Sequence, residues 1–310
     1  MSESVSGNGS GDGERVVAAV DGSAGSGRAL EWALTAARLR GVPLRITHVR
    51  GYEMPLVDGP FSSVLERTES DPVLDQVRAA LVGRADLPEL EFVGVDGSPG
   101  RELPRLGAGA GLLVLGSRGR GGFASLLLGS NGLACAREAA CPVVIVPRPT
   151  AAGQTADPGA AAGPRVVLGL SAPAPDENSV AFAFAEAERR GARLQVVAAY
   201  PWPVLSCTPA GDFVMNAVAD QETERDYGEL ADDVLTPYLT RHPEVPVDVV
   251  VAPGDAARHL VEASQGADLL VVGRHRRRLA PGRILGSVTH AVLPHAGCPV
   301  AVVPPEPAAG

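Results

Sequence analysis

Aromatic residues are scarce in this sequence: they make up 4% of its 310 residues, whereas hydrophobic residues of all kinds make up 45%. The core must therefore consist of Val, Leu and Ala, a composition typical of buried parallel sheets covered by helices. Basic residues are also in deficit, because 27 Lys and Arg stand against 36 Asp and Glu, which gives a formal charge of -9. This balance argues against a nucleic-acid binder, since such proteins present a basic field to phosphates.

Cysteine and long apolar runs are rare as well. The four cysteines are scattered and form no CxxC pair, which excludes a disulfide framework and a zinc site of that type. No stretch approaches the roughly 18 uninterrupted apolar residues that a transmembrane helix requires. The polar, glycine-rich start lacks the basic and apolar regions of a secretory signal. The sequence therefore predicts a soluble, cytoplasmic protein with no membrane partner.

Two copies of one pattern fill most of the chain. RVVAAVDGS from Arg15 returns as RVVLGLSAP from Arg165, and ACPVVIVP from Ala140 returns as GCPVAVVP from Gly297. Between the copies lies a stretch rich in Pro, Gly and Ala that has no apolar periodicity and is typical of a mobile linker. We predict a disordered tail at 1–13, domains at 14–148 and 164–304, a linker at 149–163, and a tail at 305–310.

Each copy alternates short aliphatic runs with longer amphipathic stretches. In the first copy, strands are predicted at 16–20, 44–49, 90–95, 112–115 and 143–146, and helices at 26–40, 72–83, 101–106 and 131–139. Strands separated by helices imply right-handed crossover connections. The predicted fold class is α/β, with two Rossmann-like domains, each a doubly wound parallel five-stranded sheet flanked by helices.

A glycine-rich stretch follows the fourth predicted strand. Two residues separate Gly116 from Gly119, and nine residues separate Gly119 from Gly129, which Ser130 follows directly. In a doubly wound sheet, ligands bind beyond the carboxyl ends of the strands. Glycine exposes backbone N–H groups, and a helix that begins near Ser130 would point its positive end at the same place. The spacing favours a polyphosphate ligand, although loops of this kind also make tight connections without any ligand.

Together with Asp21 in VAAVDGS and the closing CPVVIVP, this spacing resembles the universal stress protein family. The resemblance extends over both copies, so the chain is identified as a tandem member. It implies a Rossmann-like fold and, in the subgroup that keeps the glycine pattern, binding of ATP, alone or with Mg²⁺. Another adenine nucleotide, such as cyclic AMP, is the alternative ligand.

The resemblance also implies the residues of the site. They are Ala19, Asp21, Val49, Leu115, Gly116, Arg118, Gly119, Arg120, Gly129, Ser130 and Asn131. Asp21 and the backbone at Val49 would face the adenosine, whereas the glycines and Ser130 would hold the ribose and phosphates. Asp21 could instead cap a helix. The arginines pair with phosphates or are solvated loop charges, and Asn131 stands where the family often has Val.

The second copy keeps only part of this pattern. Ser171 takes the place of Asp21, and Arg276 takes the place of the second glycine. A degenerate second site is predicted at Ser171, Gly273, Arg276, Gly286, Ser287 and Val288. The loop GRHRRRLAPGR indicates an anion site of another kind, a surface for acidic groups, or a solvated basic loop.

No catalytic constellation is evident. The first copy has His48 as its one histidine, and its glycine loop lacks the lysine of a Walker motif. We predict an ATP-binding stress-response module with slow hydrolysis or autophosphorylation at most. The alternatives are a nucleotide-independent interaction protein and a catalytic ATPase. The two apolar closing strands are candidates for edge pairing, so we expect an intramolecular pseudo-dimer of the two domains, with a homodimer of chains as a further option.

Overall fold

The computed structural model describes residues 15–51, 70–119, 128–148, 163–201, 206–207, 213–214, 217–274 and 285–305. The N-terminal tail predicted at 1–13 lies outside these residues, as do nearly all of the predicted linker and C-terminal tail. Two predicted site residues, Arg120 and Arg276, also lie outside them.

Strands and helices alternate along the first copy. Its strands are β1 (Val16–Ala19), β2 (Leu44–Arg50), β3 (Leu90–Asp96), β4 (Leu112–Gly116) and β5 (Val143–Val146), and its helices are α1 (Ala24–Arg40), α2 (Pro72–Leu81), α3 (Pro99–Leu106) and α4 (Ser130–Glu138).

The second copy follows the same order with additions in its middle. Its strands are β6 (Arg165–Leu170), β7 (Arg193–Tyr200), β8 (Ser206–Cys207), β9 (Phe213–Val214), β10 (Val247–Pro253), β11 (Leu269–Gly273) and β12 (Val300–Val303), and its helices are α5 (Glu177–Arg190), α6 (Ala217–Arg241), α7 (Ala256–Ala263) and α8 (Ser287–Val292). The hairpin β8–β9 and the 25-residue helix α6 occupy the position that the 10-residue helix α2 has in the first copy. No helix in the described part of the chain is long and apolar enough to cross a membrane.

The chain divides into two compact units. The first contains β1 to β4 with α1 to α4, and the second contains β5 to β12 with α5 to α8. The strand order of the first unit is β4-β1-β2-β3, and its neighbouring strands are parallel. In the second unit the order is β10-β7-β6-β11-β12-β5, in which β5 alone pairs antiparallel, with Ala301 opposite Val144. The predicted α/β fold, with a mainly parallel sheet flanked by helices, is confirmed, but the first unit contains four of its five predicted strands, since β5 belongs to the second unit.

The sequence explains these elements locally. Each of Val16, Val17 and Ala18 in β1 is at most 1% exposed, as expected for a central strand that is covered on both faces. Helix α1 begins at Ala24 rather than near Ser26, because the hydroxyl of Ser23 caps it and accepts the Ser26 N–H. The helix ends at Gly41, whose φ of 65° places it in the left-handed conformation that glycine adopts most easily.

Candidate functional site

Three strands of the first unit bring predicted site residues to one edge of the sheet. β1 pairs with both β2 and β4 in parallel, so the carboxyl ends of the three strands are neighbours. Ala19 is 9% exposed, Val49 is 7% exposed and Leu115 is 4% exposed. These three residues are thus buried near the carboxyl ends of their strands, next to the loops that follow.

Asp21 lies in the loop between β1 and α1. Its Oδ1 accepts the N–H of Ser23 at 2.9 Å. Ser23 is the N-cap residue of α1. Asp21 therefore does not cap the helix directly, but stabilises the turn that precedes it. The hydroxyl of Ser26 completes this loop, since it accepts the Asp21 N–H at 3.3 Å and donates to the Ser23 carbonyl at 2.9 Å. One carboxylate oxygen of Asp21 therefore has a structural task.

The second carboxylate oxygen of Asp21 faces the glycine loop. A Cβ added to Gly119 would collide with Oδ2 of Asp21. The two parts of the predicted motif, from the loops after β1 and β4, thus meet in space. Only glycine fits at position 119 without moving the carboxylate.

Gly116, the first glycine of the motif, packs against the first turn of α1. A Cβ on Gly116 would lie 2.8 Å from the backbone of Gly25, and a Cβ on Gly25 would lie 2.8 Å from the carbonyl oxygen of Arg118. Both distances are shorter than Cβ contacts in proteins, so these glycines let two backbone segments approach. The sequence analysis did not identify Gly25, although its place in the glycine-rich stretch after Asp21 was a usable signal.

Helix α4 begins beside this loop. Gly129 is its N-cap residue and donates its N–H to the carbonyl of Ser117 at 2.7 Å. Ser130 and Asn131 follow in the first turn and are exposed, where N–H groups have no partner within the helix. The side-chain oxygen of Asn131 is directed towards the start of α3, 3.5 Å from the point where a Gly100 Cβ would be. The start of α4 can therefore meet an anion through Ser130 and Asn131, whereas the Gly129 amide is already engaged.

The sequence analysis missed an ion pair at the end of β2. Nδ1 of His48 lies 2.8 Å from Oδ2 of Asp71, and Asp71 also caps α2 by accepting the N–H groups of Val73 and Leu74 at 3.1 and 3.2 Å. Burial raises the pKa of the Asp71 carboxyl, but the hydrogen bonds from His48 and the two amides outweigh burial, and the net pKa lies below its ordinary value. The pair ties the start of α2 to His48, the residue that precedes Val49 in β2. The sequence Asp-Pro before an amphipathic run was a signal for the cap, but not for the histidine.

The second unit contains a cavity at the corresponding edge of its sheet. Its volume is about 290 Å³. Five of the six residues predicted for the degenerate site line it: Ser171, Gly273, Gly286, Ser287 and Val288. The second copy thus retains a formed cavity despite its altered sequence.

An aspartate that the sequence analysis did not single out also lines this cavity. Asp176 caps α5 by accepting the Asn178 N–H at 3.2 Å, and a Cβ on Gly273 would lie 2.7 Å from its Oδ2. The second copy therefore has a carboxylate beside its glycine loop, but it comes from the start of the helix and not from the end of the strand. Ser171 at the position of Asp21 does not mean that the carboxylate is lost.

The described residues contain no group of three His, Cys, Asp or Glu side chains that could hold a metal ion.

Comparison with known proteins identifies relatives over nearly the whole chain. The model of the universal stress protein family matches residues 13–147 and 164–304. Universal stress protein Rv2005c of Mycobacterium tuberculosis is 34% identical over 294 residues, which cover 93% of this chain and 96% of that protein. A universal stress protein of Mycolicibacterium smegmatis is 31% identical over 303 residues, with 94% and 97% covered.

Solved structures agree in fold. Protein PA1789 of Pseudomonas aeruginosa matches with a TM-score of 0.64 and 16% identity, over 94% of this chain and 92% of that one. A universal stress protein from Archaeoglobus fulgidus matches with a TM-score of 0.57 and 17% identity, over 94% and 96%. At these identities the similarity concerns the fold alone.

Proposed function

This chain belongs to the universal stress protein family, and we propose that its first copy binds ATP as a stress-response module with little or no catalytic activity. The observation that carries this proposal is the contact between Asp21 and Gly119. It joins the loops after β1 and β4 at the carboxyl ends of the strands, which is where doubly wound sheets bind ligands.

Each part of ATP has a matching group in this arrangement. Ala19, Val49 and Leu115 would lie at the strand ends beside the adenosine, and Oδ2 of Asp21 would accept a hydrogen bond from a ribose hydroxyl or the adenine amino group. Phosphate oxygens would accept hydrogen bonds from the backbone N–H groups of Ser130 and Asn131 and from the Ser130 hydroxyl. Mg²⁺ would accompany ATP through the phosphates. Cyclic AMP, with one phosphate, would use the same adenosine contacts.

The proposal assigns no efficient chemistry to the site. The loop from Gly116 to Ser130 contains no lysine, so it lacks the residue that P-loop phosphoryl-transfer sites place beside the β- and γ-phosphates. Hydrolysis or autophosphorylation would be slow and incidental to binding.

A nucleotide-independent interaction protein is the second candidate, and one observation favours it. Gly25, Gly116 and Gly129 are accounted for by contacts between the glycine loop and the first turns of α1 and α4. A loop built only for packing would need the same glycines.

We further propose that the two copies form an intramolecular pseudo-dimer through their closing strands, in the cytoplasm. The antiparallel pairing of β5 with β12 supports the assembly. Cys135, Cys141 and Cys298 are buried thiols that form no disulfide, which suits a reducing compartment. A homodimer of whole chains is the alternative assembly.

Calorimetric titration of the full chain with ATP, with and without Mg²⁺, tests the function. We expect saturable binding to the unmodified chain and none to Gly119→Arg, in which the side chain displaces Asp21 and fills the approach to the loop. Thermal unfolding of the variant controls for folding, and phosphate release in the same samples measures any turnover. No ATP binding to either protein would support the interaction protein instead, whereas equal ATP affinity of the two proteins would place the ATP site outside the glycine loop of the first copy.

A further inference from the structure

We propose that β10, the edge strand of the second unit, is the surface through which two copies of this chain associate. The β10 strands of the two copies pair antiparallel about a two-fold axis at Val250, and this pairing joins their sheets edge to edge. The inference depends neither on nucleotide binding nor on the pairing of β5 with β12, because the residues that carry it lie in β10.

Strand β10 has a neighbouring strand on one side. It pairs in parallel with β7 over its whole length, from Val247 to Pro253, and α6 packs against it. Within the described ranges, no strand pairs with its other edge, because β10 ends the strand order of the second unit. An edge of this kind presents a row of backbone N–H and C=O groups to which another strand can add.

The composition of β10 favours such an addition. Its sequence VDVVVAP has one charged side chain, that of Asp248, which is exposed, whereas its other residues are partly exposed. Proteins protect edge strands against pairing with charged side chains, and the edge strand of the first unit, β3, is an example: its Glu91 forms ion pairs with Arg15 and Arg45, at 3.0 and 2.9 Å. The edge of β10 carries less of this protection.

Hydrogen bonds at the two ends of β10 show which of its backbone groups point outward. The carbonyl of Pro246 accepts the Leu194 N–H at 2.8 Å, and the N–H of Gly254 donates to the Tyr200 carbonyl at 2.8 Å. Successive residues of a strand direct their backbone groups to opposite sides, so the even-numbered residues of β10 face β7. The outer edge therefore presents the N–H and C=O groups of Val247, Val249 and Val251 and the carbonyl of Pro253.

These outward groups complement one another in an antiparallel pair of two β10 strands. With Val250 on the axis, Val249 lies opposite Val251 of the partner subunit, and residues opposed in this way exchange two hydrogen bonds. Val247 lies opposite Pro253 of the partner subunit, whose carbonyl accepts the Val247 N–H and whose ring has no N–H to satisfy. Every outward N–H group of the strand therefore finds an acceptor.

The charge of Asp248 selects the position of the axis. With the axis at Val250, Asp248 lies opposite Ala252 of the partner subunit, so the two carboxylates are about 13 Å apart along the strands. This separation exceeds the screening length of about 8 Å in physiological salt. An axis at Val249 would satisfy the same N–H groups but would bring the carboxylates to about half that distance. The favoured register also places valine opposite valine on both faces, and such β-branched cross-strand pairs stabilise sheets.

Sedimentation velocity of the full chain at a series of micromolar concentrations tests the association. We expect a concentration-dependent dimer for the unmodified chain and a monomer for Val249→Pro, because proline removes an outward N–H group and leaves the ladder with β7 in place. Thermal unfolding of the variant controls for folding. A chain that stays monomeric throughout, or a dimer that survives Val249→Pro, would overturn the inference.

Charged substitutions at Ala252 test the register without a change of backbone. Ala252 is partly exposed, and in the proposed pair it lies opposite Asp248 of the partner subunit. Ala252→Lys should therefore lower the dissociation constant of the dimer about fivefold, and Ala252→Asp should raise it by a similar factor. Both effects should shrink at high ionic strength. Equal dissociation constants for the two variants would contradict the register.

A cysteine on the axis reports the contact directly. In Val250→Cys the two thiols would belong to a non-hydrogen-bonded pair, whose Cα atoms are about 4.5 Å apart, within the range that a disulfide spans. Mild oxidation with diamide should therefore give a covalent dimer. Val93→Cys is the matched control, because Val93 is partly exposed and occupies the central position of β3, as Val250 does in β10. Cross-linking of Val250→Cys no greater than that of Val93→Cys would overturn the inference.

Discussion

Asp21 and Gly119 bring the loops after β1 and β4 into contact, and no side chain fits at position 119 without meeting the carboxylate. The same carboxylate holds the turn before α1 through the Ser23 N–H. Asp21 therefore combines a structural task on Oδ1 with a proposed ligand contact on Oδ2. Substitutions that affect only one of these tasks can separate them.

Asp21→Asn should weaken ATP binding about tenfold while the free energy of unfolding changes little, because the amide oxygen can still accept the Ser23 N–H. Asp21→Ala should lower both the ATP affinity and the free energy of unfolding, since the Ser23 N–H loses its hydrogen-bond acceptor. Calorimetry measures the affinity, and urea denaturation measures the stability. An Asn variant with normal ATP affinity would leave Asp21 with the structural task alone.

Gly116→Ala should lower ATP affinity and stability together, because the new methyl group would lie 2.8 Å from the backbone of Gly25. Gly27→Ala is the matched control in the same region: a Cβ there meets nothing within 4 Å. Since alanine is the better helix former by about 0.5 to 1 kcal/mol, this control should be more stable than the unmodified protein and bind ATP equally well. Both effects are read from the same titration and denaturation experiments. If Gly116→Ala behaved like the control, the close packing of the loop against α1 would be wrong.

The ion pair of His48 and Asp71 predicts a pH-dependent stability. The pKa of Asp71 is lowered from its ordinary value of 3.8, so its contribution is present above that pH and is lost as the pH falls through the folded-state pKa. Asp71→Asn keeps a helix cap but loses the charge. We expect this variant to be less stable than the unmodified protein by about 1.5 to 3 kcal/mol near pH 6, with a smaller difference below pH 3.8. Urea denaturation across this range measures it, and a difference that does not vary with pH would contradict the assignment.

Cys135 and Cys298 should resist alkylation in the native protein. Burial raises the pKa of each thiol to about 12, and in Cys135 the neighbouring Cys141 adds to the effect. Only the thiolate reacts, so at pH 8 both should be modified by iodoacetamide only after denaturation. Peptide mass spectrometry with and without urea reports each cysteine separately. Rapid labelling of either thiol in the folded protein would show that its surroundings open readily.

Much of the fold follows from the sequence because its signals are local and repeated. Aliphatic runs such as Val143–Val146 could be assigned as strands. The alternation of strands and helices, which occurs in both copies, then restricted the possible sheet topologies to a few. The middle of the second copy was different: the hairpin β8–β9 has only 2 residues in each strand, which is too short for a periodic signal. Helix boundaries also depended on capping side chains such as Ser23, which act before the hydrophobic pattern begins.

The candidate site was harder to predict from the sequence than the fold, because its contacts join residues that are distant in the sequence. The partner of His48 is Asp71, on the next helix, and no local pattern links the two. Asp176 was not predicted for a related reason. Comparison of the two copies position by position aligns Asp21 with Ser171, whereas the carboxylate of the second copy belongs to Asp176, the N-cap residue of α5. Spacing identifies which loops meet, but not which side chain in each loop supplies the charge.

The antiparallel pairing of β5 with β12 has a consequence for any fragment of this protein. β5 precedes the stretch between the copies in the chain, yet its hydrogen-bonding partner is the strand that closes the second copy. A protease that cut within residues 149–163 would therefore leave two fragments that remain joined by the backbone hydrogen bonds between β5 and β12. We expect these fragments to elute together in size-exclusion chromatography. A fragment that started at residue 164 would instead expose the bare edge of β12, a strand of buried aliphatic residues, and would be prone to associate with itself.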